Sequence, residues 1–169
     1  MDEFKQINAS QLDNAVKMIG SDWMLITTYD TDNKRVNAMT ASWGALGVLW
    51  HKDVCICFVR PQRYTHKLLK EQDRFSIAFM GEEYRSALRL CGRESGKDID
   101  KLAECGLTAK DCDGVPVITQ SDTVLICKKL YEDEIKEDCF LDKQVMDNYK
   151  IKDYHTFYVC EIEKIYKRI

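Results

Sequence analysis

Short stretches of apolar residues, some alternating with polar residues and some continuous, recur along this chain and are separated by brief polar turns. Alternation is the period of a β-strand, and the connections show no regular exchange of strand and helix. The pattern therefore favours a mainly β fold, an antiparallel barrel with flanking short α-helices, over a doubly wound parallel sheet. Consistently, no Gly-x-Gly-x-x-Gly motif follows any predicted strand. The predicted strands cover residues 23–29, 45–50, 53–59, 74–80, 122–131 and 156–165.

Helical spacing and helix-end signals predict four short helices around these strands. Ser10 has the character of an N-cap, and apolar positions continue after it at helical spacing as far as Gly20. Residues 65–72 form the second predicted helix. The other two end at Gly92 and Gly106, because glycine is favoured just beyond a helix C-terminus.

Composition and charge limit the classes of function. The chain has 169 residues, 45% hydrophobic and 31% charged, so we expect a globular protein with one domain spanning residues 1–169. A net charge of −3 gives no general attraction to phosphate backbones or anionic lipid, which disfavours nucleic acid as a partner. The N-terminus has no basic segment followed by an apolar run, and no stretch has the length and apolarity of a membrane span. We therefore expect a cytoplasmic protein that does not enter a membrane.

The eight cysteines are an even number, as a disulfide framework requires, yet a chain of this length without an export signal favours reduced thiols. No pair has the Cys-x-x-Cys spacing of zinc or iron–sulfur ligands, and the three histidines are scattered. Buried cysteine packs as a small hydrophobic residue. We expect the cysteines to be packing residues and predict no metal site.

The segment 37–43, Asn-Ala-Met-Thr-Ala-Ser-Trp, lies between two predicted strands and is rich in small and hydroxyl-bearing residues. Its alanines leave room for backbone N–H and C=O groups to contact a flat polar ring, while Thr40 and Ser42 add donors and acceptors. Trp43 can form a wall against such a ring. The segment thus suits a flavin; the alternative is an ordinary strand that ends at a turn.

Two further segments carry positive charge next to a predicted helix start. Residues 60–65 supply two arginines and a threonine where a strand gives way to a helix, an arrangement that can bind a phosphate. Residues 95–97, Ser-Gly-Lys, combine a glycine that permits close backbone approach with a cation. The alternatives are that the arginines are only solvated, and that residues 95–97 form a turn before a helix capped by Asp98.

These segments occur in the order Asn-x-Met-Thr-x-Ser-Trp, Arg-Pro-x-Arg-Tyr-Thr and Ser-Gly-Lys-Asp-x-Asp-Lys, and the last predicted strand contains His-Thr-Phe-Tyr-Val-Cys-Glu-Ile. In this order they resemble the flavin reductase-like family, which includes flavoredoxins, over the region from about Gly20 to Ile165. The resemblance implies an FMN-binding, Greek-key-like split β-barrel. It also implies a homodimer whose flavin lies near the subunit interface.

Carried over by position, the resemblance implies a set of cofactor-binding residues. Those lining the flavin ring would be Asn37, Met39, Thr40, Ala41, Ser42 and Trp43. Those holding the phosphate and ribityl end would be Arg60, Arg63, Tyr64 and Thr65, with Ser95, Gly96 and Lys97 closing over it.

The function that the resemblance implies is NAD(P)H-dependent flavin reduction, in which hydride passes from nicotinamide to FMN. Close stacking of the two rings would be enough for this transfer, so the protein need not supply an acid or a base. His155 is a candidate proton donor because histidine titrates near neutrality, although a histidine at a strand start is commonly structural. One alternative is a flavoredoxin-like electron-transfer protein that retains FMN and exchanges electrons with a protein partner. Another is a barrel that uses no flavin.

Overall fold

The computed structural model describes residues 3–169. The strands are β1 (Phe4–Ile7), β2 (Met24–Asp30), β3 (Arg35–Ala41), β4 (Gly44–Leu49), β5 (Lys52–Val59), β6 (Arg74–Phe79), β7 (Ala109–Cys112), β8 (Val115–Ile118), β9 (Thr123–Glu134) and β10 (Thr156–Arg168). The α-helices are α1 (Ala15–Lys17), which continues as a π-helical turn over Met18–Asp22, α2 (Tyr64–Lys70), α3 (Arg85–Arg93) and α4 (Lys101–Cys105). Turns of 3-10 helix cover Ala9–Gln11, Glu82–Tyr84, Glu137–Cys139 and Lys143–Tyr149.

Most of the strands belong to one antiparallel sheet in the order β3-β2-β6-β9-β10-β5-β4, and β1 also pairs with β10. The long β10 pairs with β9 along one edge and with two strands in turn along the other, where Thr156–Glu161 pairs with β5 and Ile165–Arg168 pairs with β1. Strands β7 and β8 form a separate hairpin. Because β3 and β5 also come into contact, the sheet curls on itself as a barrel. The predicted mainly β, antiparallel fold is confirmed.

The main hydrophobic cluster is built from inward-facing side chains of β2, β3, β5, β6, β9 and β10. Four cysteines are fully buried in it, and Cys55 lies opposite Cys160 in the ladder between β5 and β10. All eight cysteines are free thiols, and six of them are buried. Their placement agrees with the expected role in packing.

The period-two pattern correctly predicted strands β2, β4, β5 and β6, and residues 156–165 of β10. It missed β1 and the β7–β8 hairpin, whose strands are only four residues long and, in β8, contain Pro116. It also ended β9 too early. Residues 132–134, expected to be a solvated stretch, extend β9 because they pair with residues 156–158 of β10.

The predicted start of the first helix is wrong. The chain makes a 3-10 turn over Ala9–Gln11, and α1 begins only after Asn14, whose side chain accepts a hydrogen bond from the Lys17 N–H at 3.1 Å. Val16, expected on the buried face, is 82% exposed. A short helix that passes into a π-turn changes its period, so a regular α-helical face does not form.

The two glycine-based helix ends had different outcomes. Gly106 follows α4 in the left-handed conformation, with φ of 63°, as predicted. Gly92 instead lies inside α3, which ends at Arg93, so its prediction as a helix end is wrong. A Cβ built at Gly92 would lie 3.4 Å from Cβ of Thr40, so the glycine lets α3 pack closely on β3. No helix within residues 3–169 is both long and apolar enough to cross a bilayer.

Candidate functional site

A cavity of about 360 Å³, the ring cavity, lies where the end of β3 meets the end of β5. Its volume is within the range of about 300–1,000 Å³ that ligand pockets typically have. Most of its wall comes from the segment predicted to contact a ring, together with two arginines and a histidine. Its lining residues are Met39, Thr40, Ala41, Ser42, Trp43, Phe58, Arg60, Gln62, Arg63 and His155.

A smaller cavity of about 60 Å³, the tail cavity, adjoins the ring cavity. The two cavities share Met39, Gln62 and Arg63 as lining residues. The tail cavity is rich in cations and hydroxyl groups, and it has room for a compact polar group rather than a ring. Its lining residues are Met39, Gln62, Arg63, Tyr64, Thr65, Arg93, Glu94, Ser95, Gly96 and Lys101.

The backbone at Gly96 packs directly onto the side chain of Asn37. A Cβ built at Gly96 would lie only 1.9 Å from Oδ1 of Asn37, so no larger residue fits without a shift. Asn37 donates from Nδ2 to Oγ1 of Thr65 at 2.8 Å, whereas its buried Oδ1 has no hydrogen-bond partner among the described residues. Arg35 donates to the Gly96 carbonyl and further fastens the loop. Asn37 therefore supports the floor of the site beneath the lining residues.

Lys101 is a functional candidate that sequence reasoning missed. It is 4% exposed, and its Nζ donates to the carbonyl oxygens of Ala38 and Cys91, each at 2.9 Å. Within residues 3–169 no carboxylate lies within ion-pair distance of it. A lysine has three N–H donors, so one stays available on the side of the tail cavity. Burial, reinforced by the nearby Arg63 guanidinium, lowers the pKa of Lys101 to about 8.

The signal for Lys101 was present, because this residue closes the Ser-Gly-Lys-Asp-x-Asp-Lys motif. Lys97, which was predicted to close over the phosphate end of the flavin, is exposed and does not line either cavity. Its backbone N–H donates to Oγ of Ser95 at 3.2 Å, so the segment turns tightly at that point. The N-cap of α4 is Asp100, whose side chain accepts from the Ala103 N–H at 3.1 Å, and the prediction of Asp98 as the cap is wrong.

The two arginines of the predicted phosphate segment have different surroundings. Arg63 lines both cavities and donates to the carbonyl oxygen of Gly92. Burial and the neighbouring Arg60 lower the pKa of Arg63. Arg60 lines only the ring cavity, and it forms an ion pair with Asp153 and donates to the Asn148 carbonyl oxygen at 3.0 Å. Arg60 thus has a carboxylate partner within the protein, which Arg63 lacks among the described residues.

Three other predicted residues make internal hydrogen bonds. The Tyr64 hydroxyl donates to Oδ1 of Asp30 at 2.9 Å, although the ring of Tyr64 lines the tail cavity. The hydroxyl of Thr40 donates to the Leu88 carbonyl oxygen at 2.6 Å. Thr65 is 2% exposed and accepts from Asn37, and it also lines the tail cavity. The Thr40 and Tyr64 hydroxyl protons are thus used within the protein, whereas Thr65, which accepts, keeps its proton for a ligand.

His155 lies in the wall of the ring cavity at the start of β10, where the sequence predicted a candidate. It is 7% exposed, and its ring centroid is 4.9 Å from that of Trp43. Its Nδ1 is 3.0 Å from the hydroxyl of Tyr149. Burial, together with the positive charge of Arg60, lowers the pKa of His155 to about 4. At neutral pH the imidazole is therefore uncharged and has no extra proton to donate.

A larger cavity, of about 720 Å³, lies elsewhere, between β1, β8 and β10. It contains the carboxylates of Glu3, Glu83 and Asp122. Its Arg168 is paired with Glu3 at 2.7 Å and donates to backbone carbonyl oxygens as well. The remaining lining residues are Phe4, Tyr84, Thr108, Lys110, Val117, Thr119 and Gln120. We refer to it as the acidic cavity.

Among the described residues, no group of three or more His, Cys, Asp or Glu side chains is arranged to hold a metal ion. The joined cavities present aromatic side chains, backbone groups and buried cations.

A search of curated proteins finds no match. The fold is similar to that of flavoredoxin from Desulfovibrio vulgaris (Miyazaki F), at 22% identity and a TM-score of 0.67, covering 95% of this chain and 74% of that one. It is also similar to an FMN-binding domain of a flavin reductases-like enzyme from Shewanella baltica OS155, at 15% identity and a TM-score of 0.69, covering 98% and 77% of the respective chains.

A third similar structure is the NADH:FAD oxidoreductase of Streptomyces globisporus C-1027, at 15% identity and a TM-score of 0.65, covering 88% of this chain and 75% of that one. The TM-scores of these three matches establish a shared fold, the split barrel. The model of the flavin reductase like domain matches residues 17–168. Because that match covers most of the chain, the protein belongs to the flavin reductase-like family.

Proposed function

We propose that this protein is an FMN-binding oxidoreductase that reduces flavin with NAD(P)H. The observation that carries the proposal is the pair of adjoining cavities, one with the size and walls for a ring and one with buried cations for an anionic tail. They share Arg63 at the junction. FMN has the same two parts in the same order, an uncharged tricyclic ring and a phosphate at the end of a short polyol.

The ring cavity has the contacts that an isoalloxazine needs. Trp43 and Phe58 provide aromatic surface, and Ala41 keeps side-chain bulk low beside the backbone. Strand β3 ends the strand order, so its outer edge has no strand partner within residues 3–169 and can offer N–H and C=O groups to ring heteroatoms. Such contacts would satisfy the polar edge of the ring while its faces remain in apolar surroundings.

The tail cavity has the charges that a phosphate needs. Arg63 and the remaining N–H of Lys101 would bind its oxygens, and the Ser95 hydroxyl would add a donor. Lys101 has two backbone carbonyl partners but no carboxylate among the described residues. A buried cation without a counter-ion is costly, so a bound anion would stabilise the protein. We therefore assign the phosphate to Lys101 and Arg63 ahead of Arg60 and Lys97.

Bound FMN would supply a ring that accepts hydride from nicotinamide. The residues of the chain would bind the two rings in parallel and exclude water, which accounts for much of the rate when no acid or base is required. Arg60, which lines the ring cavity, would favour negative charge on a reduced ring. His155 would act by hydrogen bonding, because its imidazole is uncharged at neutral pH.

The second candidate is a flavoredoxin-like carrier that keeps FMN and passes electrons to a protein partner. The observation in its favour is an exposed apolar patch in which Trp50 is 54% exposed and Tyr131 is 46% exposed. Aromatic contacts join this patch through Phe157 and Phe58 to His155 at the ring cavity. A surface of this kind fits another protein.

We propose that the chain forms a homodimer whose subunit interface lies near the ring cavity. The free state of all eight cysteines fits a reducing compartment, and we propose the cytoplasm.

An absorbance spectrum of the purified protein, before and after anaerobic addition of NADH or NADPH, tests the function. Steady oxidation of the nicotinamide that depends on added FMN would support the reductase. Yellow protein that neither nicotinamide bleaches would support the carrier. Folded protein that takes up no FMN in equilibrium dialysis would overturn both.

A further inference from the structure

The imidazole of His155 is confined on several sides at the wall of the ring cavity. The Trp43 ring lies 4.9 Å away between centroids, and the rings of Phe58 and Tyr149 meet it edge-on at 6.3 and 5.6 Å. Both Tyr149 and His155 are less than a tenth exposed. The histidine ring therefore has one orientation, and only one of its nitrogen atoms faces the tyrosine.

The direction of the hydrogen bond between Tyr149 and His155 depends on which tautomer the imidazole adopts. Its two atoms, the tyrosine hydroxyl and Nδ1, are 3.0 Å apart, and the hydroxyl has no other partner among residues 3–169. A buried hydroxyl donates its proton where an acceptor exists, so Nδ1 accepts. Burial raises the pKa of Tyr149, which keeps it a phenol. In an uncharged imidazole the single proton must then be on Nε2.

Nε2 lies on the opposite edge of the ring from Tyr149. It has no hydrogen-bond partner in the described part of the chain, while His155 lines the ring cavity and Tyr149 does not. The N–H of His155 is thus presented to whatever occupies that cavity.

Arg60 holds Tyr149 in place. Its guanidinium lies 5.2 Å from the Tyr149 ring centroid and 5.9 Å from that of Trp43. The same group donates to the Asn148 carbonyl oxygen at 3.0 Å and pairs with Asp153. The segment that brings Tyr149 to the cavity is therefore attached to the end of β5 by charge and stacking. Arg60 and Asp153 are also the charged groups that influence His155.

We propose that Tyr149 is a positioning residue that holds His155 as an uncharged Nε2–H donor toward a carbonyl oxygen of the ligand in the ring cavity. The carbonyl belongs to the flavin ring or to the carboxamide of nicotinamide. This inference rests on the proposed function for the identity of the ligand, but the state of the His155 ring is independent of it.

Nitrogen-edited NMR of the histidine rings in isotopically labelled, full-length protein tests the state of the ring without any ligand. The His155 signals are identified by their loss in His155→Gln. We expect a proton on Nε2 alone from about pH 5 to 8, and a mixture of the two tautomers in Tyr149→Phe. A proton on Nδ1 in the wild type, or an unchanged spectrum in Tyr149→Phe, would overturn the proposal whether or not the protein binds flavin.

Binding measurements test the ligand group. Tyr149→Phe keeps the ring that contacts Arg60 and removes only the hydroxyl, and Tyr154→Phe in the same aromatic cluster is its matched control. One arm measures the riboflavin Kd by fluorescence quenching, and the other measures KM for NADH with kcat. We expect Tyr149→Phe to raise either the riboflavin Kd or the KM for NADH about three- to tenfold and to leave kcat nearly unchanged. The control Tyr154→Phe should change none of these constants. Weaker riboflavin binding would assign the flavin carbonyl, and a higher KM the carboxamide.

A side-chain comparison at His155 itself completes the test. His155→Gln can place an amide N–H near the position of Nε2, whereas His155→Asn places one near Nδ1. We expect the glutamine variant to retain more of the affected affinity than the asparagine variant. If neither the riboflavin Kd nor KM responds to Tyr149→Phe, the hydrogen bond to the ligand does not exist.

Discussion

The ring and tail cavities contrast with the acidic cavity between β1, β8 and β10. The acidic cavity is about twice as large, at about 720 Å³ against about 360 Å³ for the ring cavity. Arg168 in that cavity forms an ion pair with Glu3 and donates to backbone carbonyl oxygens, and two further carboxylates line the same cavity. The smaller pair contains Lys101 and Arg63, which have only carbonyl acceptors among the described residues. Under the proposed function, the anion site is identified by buried cations without a carboxylate partner and not by cavity volume.

Gly96→Ala should have the largest effect on stability and FMN affinity, because it changes the packing of the loop that lines the tail cavity. The new Cβ would meet the side chain of Asn37 at 1.9 Å, and Asn37 is bonded to Thr65. We expect the free energy of unfolding to fall by about 1–3 kcal/mol. FMN affinity should fall about 100-fold, as the charge-assisted hydrogen bonds of this loop are lost.

Chemical denaturation and FMN fluorescence quenching measure these two effects. Gly20→Ala is the matched control, because a Cβ there meets nothing within 4 Å and its φ is not positive. The control should remain within about 0.5 kcal/mol of the wild type. Wild-type FMN affinity in Gly96→Ala would show that the loop does not contact the ligand.

Lys101→Met tests whether the buried cation defines the anion site. We expect the FMN Kd to rise about 30-fold and the riboflavin Kd to change little, because only FMN carries the phosphate. Lys110→Met removes a lysine from the acidic cavity and should alter neither Kd. Isothermal titration with both flavins provides the measurement. If Lys110→Met weakened FMN binding as much as Lys101→Met, the comparison between the cavities would fail.

Arg63→Ala tests the junction between the ring and tail cavities. It removes a donor that lines both of them, and FMN affinity should fall about tenfold. Riboflavin affinity should fall less, since the lost partner is mainly that of the phosphate. Equal losses for the two flavins would contradict the assignment of Arg63 to the phosphate.

A change of pH should have the smallest effect on FMN affinity. Burial lowers the pKa of Lys101 from 10.5 to about 8, so above pH 8 the folded, flavin-free protein loses a proton that the unfolded chain still binds. The free energy of unfolding of the flavin-free protein should therefore rise between about pH 8 and 10.5, and this rise should be absent in Lys101→Met. FMN affinity should fall several-fold over the same range.

Denaturation curves and FMN titrations at a series of pH values check both trends, with riboflavin as the control ligand. An FMN affinity that stays constant from pH 7 to about 10 would remove Lys101 from the phosphate site.

The local pattern of the chain was enough to predict much of the sheet, and it singled out residues 39–43, which line the ring cavity. Alternation and turn residues depend on near neighbours, so β2, β4, β5 and β6 could be recognised without knowledge of the rest. The short β7 and β8 could not, because four residues provide too little pattern. The loop at Gly96 was predicted to contact a ligand because glycine permits close approach of the backbone. Its contact with the Asn37 side chain depends on the fold.

A comparison of Lys97 with Lys101 shows which features of the site the sequence by itself determined and which only the tertiary structure decided. The sequence determined that a motif with two lysines follows a glycine turn, and the family resemblance connected that motif to a phosphate. Only the fold decided that Lys97 is exposed while Lys101 reaches the carbonyl oxygens of Ala38 and Cys91. Burial and hydrogen-bond partners depend on residues distant in sequence, here up to 63 positions apart, and these long-range contacts determine the charge that each site presents.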